Sequence, residues 1–281
     1  MKWNLARKRA LITGAASGIG RALALELARR QVHLCLVDRL PDELEETARA
    51  CREARVFVTT CCLDLLDEDS IRKITDHARE TLGGLDILIN NAGIAYYGSF
   101  DRMEGTQCEQ LLGVNLVAPL ALTSACLPLL LANEESRVLN VSSIFGYFPT
   151  RRSAAYHASK YGLLGFSLAL RMEYARYGLG VICLCPGFVR TSLYQGMLRP
   201  TGKPMREPPA WISTTPEHVA RVGISALRRN QRIRVVTWAG QLSWYAGGLW
   251  PALLDWVEQW KSRRPHPFAR EQARAEPRRL P

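Results

Sequence analysis

The sequence predicts a doubly wound α/β fold, in which a parallel sheet carries helices on both faces. Short apolar runs rich in β-branched residues alternate with segments of helical periodicity along most of the chain. That alternation is typical of consecutive βαβ units, whose parallel strands are covered on both faces. In addition, a glycine-rich turn, TGAASGIG in residues 13–20, joins the first predicted strand to the first predicted helix.

The predicted elements follow this alternation in chain order. Strands are expected at residues 9–13, 32–37, 56–62, 86–90, 137–142, 180–185 and 233–237. A helix is expected at residues 19–30, where leucines and alanines form one apolar face, and a charged helix at residues 41–52. Ligands of such folds bind at the carboxyl ends of the strands, so the loops that begin there are the candidate site.

An uncharged stretch, residues 110–133, is long enough to cross a membrane. Asn115, Pro119 and Pro128 interrupt it, and it lies between two predicted strands. We therefore expect a core helix that is buried on nearly all sides, in part against a second subunit, rather than a membrane span.

The net charge of +11 does not indicate nucleic-acid binding. Residues 261–281 alone contain seven basic and two acidic residues, so the excess is concentrated at the carboxyl end. The sequence has neither a basic helix interleaved with aromatic residues nor a zinc-finger spacing. We expect no nucleic-acid partner.

The cysteines and the amino terminus predict a cytoplasmic protein without a metal site. Eight cysteines lie mostly in apolar segments, and no pair has CxxC spacing. Buried thiols in a reducing compartment are the simplest interpretation. The first residues, MKWNLARKR, lack the apolar region and cleavage site of a signal peptide.

The turn at residues 13–20 predicts a phosphate-binding site. It follows a strand and opens a helix, so its backbone N–H groups and the helix dipole can meet a pyrophosphate. Glycine permits the close approach, and an ordinary strand-to-helix turn is the alternative. The candidate residues in the turn are Gly14, Ser17, Gly18, Ile19 and Gly20.

Asp38 and Arg39 bear on which dinucleotide this turn would bind. Asp38 ends the second predicted strand, where a carboxylate can accept hydrogen bonds from ribose hydroxyls and repel a 2′-phosphate. Arg39 could instead approach a 2′-phosphate or stack on adenine. The pair favours NAD and leaves NADP open.

Tyr156, Lys160 and Ser143 predict acid–base chemistry. Tyr156 and Lys160 lie four residues apart in YHASK, which places them on the same face of a helix. A neighbouring ammonium favours the phenolate, which suits a general base near neutral pH. Ser143 ends a strand 13 residues before Tyr156, whereas Ser142 faces the opposite side of that strand. His157 points away from Tyr156 and is expected to be structural.

These motifs together resemble the short-chain dehydrogenase/reductase family, of the common single-domain type. The resemblance covers roughly residues 8–240. Its marks are, in order, TGAASGIG, LDLLD around Asp64, NNAG in residues 90–93, Asn115, NVSS ending at Ser143, YHASK, and PGFVRT in residues 186–191. Gln31 stands where the family commonly has glycine, which concerns a turn and not the chemistry.

The resemblance implies a Rossmann-like dinucleotide fold and a role for each motif. Tyr156 would be the general base or acid, Ser143 would bind the substrate oxygen, and Lys160 would hold the nicotinamide ribose. Asn115 would organise a water that relays protons from Lys160 to solvent. The remaining cofactor contacts implied are Asp64 and Leu65 at the adenine, Asn91, Ala92 and Gly93 at the centre, and Pro186, Gly187, Val189 and Thr191 at the carboxamide.

The resemblance therefore implies an NAD(P)-dependent alcohol dehydrogenase or carbonyl reductase that forms a homodimer or homotetramer through the helices containing Asn115 and Tyr156. Two rival functions remain at this point: a catalytically silent dinucleotide-binding regulator, and an epimerase or dehydratase that uses the same tyrosine and lysine. Aromatic residues in the loops near the site favour a lipophilic substrate, steroid-like, retinoid-like or lipid-like, and core packing is the alternative for several of them. They are Tyr96, Tyr97, Phe145, Tyr147, Phe148, Phe188 and Tyr194.

The chain divides into a catalytic domain and two carboxyl-terminal segments. Residues 1–240 are the predicted dinucleotide-binding and catalytic domain, and its proline-rich stretch 190–216 is expected to be a substrate lid. Residues 241–264 form a Trp-rich amphipathic extension, within which 249–264 could contact a membrane surface peripherally, the substrate mouth or another subunit. Residues 265–281 form a basic tail that we expect to be mobile.

Overall fold

The computed structural model describes residues 3–191, 193, 196–200, 209, 211–238, 240–242 and 244. The extension beyond residue 244, the basic tail and Tyr194 of the aromatic set lie outside the described residues, as does much of the predicted lid.

A parallel sheet of seven strands forms the centre of the described fold. Its strands are β1 (Arg9–Thr13), β2 (His33–Asp38), β3 (Val58–Cys62), β4 (Ile87–Asn90), β5 (Ser136–Val141), β6 (Leu179–Cys185) and β9 (Ile233–Val235). Their order across the sheet is β3-β2-β1-β4-β5-β6-β9, and every pairing is parallel. The chain reverses its direction of winding between β1 and β4, which opens a crevice at their carboxyl ends.

Helices cover both faces of this sheet, so the predicted fold class is confirmed. Residues of α1 (Gly18–Ala28), α2 (Pro41–Arg52) and α7 (Pro216–Arg228) pack in one core cluster with one face of the strands. Residues of α3 (Ser70–Leu82), α5 (Ala118–Leu131) and α6 (Ala154–Tyr174) pack against the other face, and α4 (Gly105–Leu112) precedes α5.

The apolar stretch predicted at residues 110–133 belongs to one continuous helical segment, Gly105–Leu131. It consists of α4, a π-helical turn at Gly113–Val117 and α5. The segment is long and apolar enough to cross a membrane by length and composition, with 44% of its most apolar window buried. The single chain therefore buries less than half of this window, and the predicted burial of the rest against a second subunit stays a prediction. One stripe of it is buried, at Ala118, Leu122, Cys126 and Leu130, and the last three pack with the strands and with α3.

The two ends of the predicted lid, residues 190–216, lie next to each other. Two short strands, β7 (Phe188–Val189) and β8 (Ser213–Thr214), pair in parallel at its two ends. Within the described part, Leu198 bridges Tyr96 on the loop that follows β4. The described residues of this segment thus lie at the carboxyl edge of the sheet, and its role as a lid stays a prediction.

Candidate active site

A cavity of about 940 Å³ opens at the carboxyl ends of the strands. All the predicted site residues line it except Gly20 and Asn115, which lie directly behind its wall. One end is bounded by the glycine-rich turn, Asp38 and Asp64, and the other by the loops that follow β4, β5 and β6. The cavity therefore has the extent and the polarity for two ligands placed end to end.

The glycine-rich turn has a backbone conformation that requires glycine at several positions. Gly14 and Gly18 have φ of 66° and 53°, and a Cβ at Gly20 would overlap the carbonyl oxygen of Gly14. Asn91 Nδ2 donates to Thr13 O at 3.0 Å and to Gly14 O at 3.1 Å, which fixes the turn to the end of β4. Helix α1 begins at Gly18 with its N–H groups at the cavity, so the turn fits a pyrophosphate.

Asp38 organises the same turn through its carboxylate. Its Oδ2 accepts from Ala16 N at 3.0 Å, and its Oδ1 accepts from Arg39 N at 2.8 Å and from Leu40 N at 3.3 Å. The neighbouring Arg39 guanidinium lies 3.5 Å from Asp64 Oδ2. Both acidic side chains and Leu65 line the cavity, so this end carries more negative than positive charge.

Lys160 and Tyr156 meet on one face of α6. Lys160 Nζ lies 5.8 Å from the centroid of the Tyr156 ring and donates to Val141 O at 3.1 Å. The lysine is 4% exposed, and its burial lowers its pKa to about 8, an effect that Cys183 and Cys185 oppose. The ammonium therefore predominates at neutral pH but is held at a desolvation cost.

Ser142 and Ser143 end β5 with different partners. Ser142 Oγ donates to Lys160 O at 3.0 Å, which ties the strand end to α6. Ser143 Oγ accepts from Phe145 N at 3.2 Å and lines the cavity, where its own proton can be given to a ligand. The assignment of Ser143 as the substrate contact stays a prediction.

Asn115 is fully buried in the π-helical turn and bonds to the loop after β4. Its Oδ1 accepts from Ile94 N at 2.8 Å, and its Nδ2 donates to Ile94 O at 2.9 Å and to Ser159 Oγ at 3.1 Å. A Cβ at Gly93 would lie 3.2 Å from Asn115 Oδ1 and 3.5 Å from Lys160 Nζ, so the three residues are neighbours. The predicted water relay stays a prediction.

The residues after β6 close the middle of the cavity. Ile144 N donates to Pro186 O at 2.9 Å, and Gly187 leaves no room for a side chain beside Thr237. A Cβ at Gly18 would lie 3.2 Å from Thr191 Cγ2, so this segment reaches the glycine-rich turn. Val189 completes the predicted set in the cavity wall.

The aromatic prediction is right for five residues that line the cavity and wrong for Tyr147. Tyr147 packs its ring edge-on against Trp244 at 4.6 Å, and its hydroxyl donates to Gly240 O at 2.8 Å, because it faces the opposite side of its loop. The lining aromatic residues are Tyr96, Tyr97, Phe145, Phe148 and Phe188.

Sequence reasoning missed other residues of this wall, because loops without periodicity do not indicate which side chains turn inwards. The residues missed are Ile94, Thr150, Arg151, Met197, Ile212 and Thr237. Thr13 was also missed: its Oγ1 accepts from the backbone N–H groups of Asn91 and Ala92, both at 3.1 Å. A hydroxyl at the end of the first strand was the available signal. In the described part of the chain, no three His, Cys, Asp or Glu side chains could hold a metal ion.

Comparison with known proteins decides the family. The family profile described as short chain dehydrogenase matches residues 8–200. This chain belongs to the short-chain dehydrogenase family. The resemblance inferred from the motifs is confirmed, and the chain is an oxidoreductase of that family.

Two curated relatives illustrate the range of short-chain dehydrogenases it is similar to. A dehydrogenase/reductase SDR family protein 7-like from Anopheles gambiae is 31% identical over 88% of this chain and 80% of its own length. Mouse estradiol 17-beta-dehydrogenase 11 is 34% identical over 68% of this chain and 65% of its own length.

Solved structures of short-chain dehydrogenases share the fold. One from Mycobacterium paratuberculosis, bound to NAD, is 26% identical with a TM-score of 0.75 and covers 83% of this chain and 97% of its own. An alcohol dehydrogenase from Thermococcus sibiricus, complexed with 5-hydroxy-NADP, is 23% identical with a TM-score of 0.72, over 82% of this chain and 96% of its own. The second supports the fold alone.

Proposed function

We propose that this protein transfers a hydride between NAD and an apolar secondary alcohol or ketone. The observation that carries the proposal is the buried Lys160 ammonium beside Tyr156, in one cavity with Ser143 and a glycine-rich turn. The bound nicotinamide would supply the hydride chemistry, and the protein would supply position and electrostatics.

The protein's own residues then handle the proton and the substrate oxygen. Tyr156 takes the hydroxyl proton during alcohol oxidation and returns it during ketone reduction. Lys160 stabilises the tyrosinate as a neighbouring cation, and Ser143 Oγ donates to the substrate oxygen as negative charge develops there.

Asp38 and Arg39 support NAD over NADP. The Asp38 carboxylate accepts three backbone hydrogen bonds and remains at the cavity wall, where it would repel a 2′-phosphate. Arg39 is the cation that could serve such a phosphate, but it already lies 3.5 Å from the carboxylate of Asp64. Breaking that ion pair would offset part of the free energy gained from a contact between Arg39 and the phosphate.

The aromatic and aliphatic wall supports a bulky lipophilic substrate. Phe145, Phe148, Phe188, Met197 and Ile212 surround the end of the cavity beyond Tyr156. Aromatic rings of this kind suit an apolar ring system better than a sugar. The mouse relative is named for estradiol, an alcohol of the same substrate class.

A turnover panel with NAD tests the proposal and separates it from its rivals. We expect estradiol or a similar ring-bearing alcohol to be oxidised with one NADH accumulating per ketone, and sorbitol to be left unchanged. Turnover of sorbitol alone would contradict the substrate class. NADH binding without any turnover would favour a silent regulator, and product without net NADH would favour an epimerase or dehydratase.

We also propose a homodimer or homotetramer formed through Gly105–Leu131 and α6. Tyr161 and Met172 are 41% and 76% exposed on one face of α6, and Val117 is 59% exposed beside α5. A Cβ at Gly165, between them on α6, would meet nothing within 4 Å. Light scattering should show that Gly165→Arg yields a monomer. Glu43→Arg, at an exposed position of α2 on the other face of the sheet, should keep the wild-type mass.

We propose that the protein is cytoplasmic and contacts a membrane surface peripherally. Trp211 and Trp238 are 70% and 60% exposed and stack at 6.5 Å, next to Ile212 and Thr237 of the cavity wall. Tryptophan is favoured at membrane interfaces. We propose that this tryptophan pair contacts the membrane together with residues 249–264. Flotation with anionic liposomes should carry the intact chain, but neither a chain ending before Leu249 nor the variant with Trp211→Ala and Trp238→Ala; failure of the intact chain to float would contradict the membrane contact.

A further inference from the structure

His157 follows Tyr156 directly, yet its side chain turns away from the cavity. Its ring is buried behind the loop that joins β5 to α6, residues 142–153, and packs edge-on against Phe145 with centroids 5.1 Å apart. His157 Nδ1 lies 2.7 Å from Phe145 O, and Nε2 accepts from Thr150 N at 2.9 Å. The imidazole thus bridges two backbone groups five residues apart.

These two partners determine the tautomer of the imidazole. Phe145 O can only accept a hydrogen bond, so Nδ1 carries the proton. Thr150 N–H can only donate, so Nε2 is the acceptor. A neutral imidazole with the proton on Nδ1 satisfies both groups, and few side chains offer a donor and an acceptor in this geometry.

The bridged loop forms much of the substrate wall. Phe145, Phe148 and Thr150 line the cavity, and the Phe145 ring packs edge-on against Tyr156 at 6.2 Å and against Phe188 at 5.9 Å. The loop that carries the apolar wall is therefore fastened to the helix turn that carries the catalytic tyrosine.

Further hydrogen bonds connect the bridged loop to two other parts of the cavity wall, the loop after β4 and residues 196–200. Gly98 N donates to Arg152 O at 2.8 Å, which joins the loop after β4 to the bridged loop. Leu198 N donates to Ala95 O at 2.9 Å, and Tyr97 N donates to Leu198 O at 3.1 Å. Hydrogen bonds thus link residues 196–200 to the loop after β4 and that loop to the bridged loop, and His157 links the bridged loop to α6.

We propose that His157 is a positioning residue that holds these three walls at a fixed distance from Tyr156. It touches no reacting atom. Its consequence for substrate choice rests on the proposed function: a bulky ring needs all three walls in place, whereas a small alcohol contacts only the groups next to Tyr156 and Ser143.

The test replaces His157 with leucine, which at similar volume removes the hydrogen bonds to Phe145 O and Thr150 N and the 3.0 Å contact of Nε2 with Thr150 Oγ1. His33→Leu is the matched control, because His33 Nδ1 also accepts from a backbone amide, Phe57 N at 3.2 Å, next to the amino end of β3 and away from the cavity. His157→Gln is the rescue variant, since its amide offers both a donor and an acceptor.

Two readouts are measured on the full-length protein. The first is hydrogen exchange of the peptide containing residues 145–152, which His157→Leu should accelerate about 10-fold while His33→Leu leaves it unchanged. The second is kcat/KM with NAD for estradiol and for propan-2-ol. His157→Leu should lower the estradiol value about 10-fold, mainly through KM, and the propan-2-ol value less than about 2-fold. His157→Gln should recover most of the loss.

The outcomes distinguish this inference from the proposed function. Equal exchange in wild type and His157→Leu, or an equal loss for both alcohols, would overturn the positioning role. A wild type that oxidises neither alcohol would defeat the proposed function, and hydrogen exchange would still decide whether His157 holds the loop. If the leucine variant does not fold, His157→Asn replaces it, because asparagine keeps the donor to Phe145 O but is too short to reach Thr150 N.

Discussion

The two ends of the cavity are built in different ways. We call the end at the glycine-rich turn, which we propose binds the cofactor, the dinucleotide end, and the end beyond Tyr156, which we propose binds the alcohol, the substrate end. At the dinucleotide end, the walls are the carboxyl ends of paired strands, and Asp38, Asn91 and Thr13 fix the glycine-rich turn through short side-chain bonds to backbone. At the substrate end, the walls are loops that bond to one another and reach the rigid helix α6 through His157. The first end is a property of the fold, and the second is a property of this chain's loops.

This difference predicts which substitutions each end should tolerate. A substitution that displaces the backbone of the dinucleotide end should abolish cofactor binding, because the sheet holds that backbone in place. A substitution in the loops should alter which alcohol binds and leave the cofactor site intact.

Tyr156→Phe should produce the largest effect, because it removes the hydroxyl that we propose exchanges a proton with the substrate. We expect kcat to fall by about 10³-fold, since positioned acid–base groups contribute rate factors of this order. Titration of NADH fluorescence should give an unchanged dissociation constant. Ser142→Ala, which alters the neighbouring strand end, is the control, and an equal loss in both variants would contradict the role of Tyr156.

Gly20→Ala should produce the next largest effect, and only at the dinucleotide end. Its Cβ would overlap Gly14 O, so the turn must open, and NADH affinity should fall by about 100-fold or more. Gly105→Ala is the matched control, because a Cβ there meets nothing within 4 Å. Normal NADH binding by Gly20→Ala in a calorimetric titration would show that the turn is not the pyrophosphate site.

Asp38→Asn should change cofactor choice by a smaller factor. Removing the negative charge lowers repulsion of a 2′-phosphate, so the ratio of kcat/KM for NAD to that for NADP should fall by about 10-fold. Arg39→Gln should leave the NAD value within about 2-fold. A variant of Asp38 that prefers NAD as strongly as the wild type would contradict the proposed ribose contact.

Lys160 predicts a modest dependence of stability on pH. Burial lowers its pKa from the ordinary 10.5 to about 8, so the unfolded chain binds more protons than the folded chain between these values. Stability from this group therefore rises with pH, by on the order of 1 kcal/mol between pH 7 and pH 9. Chemical denaturation of wild type and Lys160→Met should show this rise in their difference, and a flat difference would contradict the buried ammonium.

The sequence predicted most residues of the dinucleotide end and of the group around Tyr156, because they belong to short motifs at strand ends and on α6. Gly14, Asp38, Ser143, Tyr156 and Lys160 are all found at the cavity wall, where the alternation of strands and helices placed them. The fold class followed from the same alternation.

The substrate end could not be predicted in the same way. Tyr147 faces Trp244 and not the cavity, and the series of bonds from Leu198 to His157 depends on loop conformations that no periodicity encodes. The exposure of Val117 could not be predicted either, because the sequence of an apolar helix does not indicate whether its own chain or another chain buries a given residue.

Isotope transfer tests the proposed reaction most directly. A ring-bearing secondary alcohol with deuterium on the carbon that holds the hydroxyl is incubated with NAD, and the reduced cofactor is isolated and analysed by NMR and mass spectrometry. We predict one deuterium on the nicotinamide ring for each ketone formed, and about 10³-fold less labelled cofactor in the same time with Tyr156→Phe. Ketone formed with unlabelled NADH, or label returned to the product with no net NADH, would contradict the proposed hydride transfer.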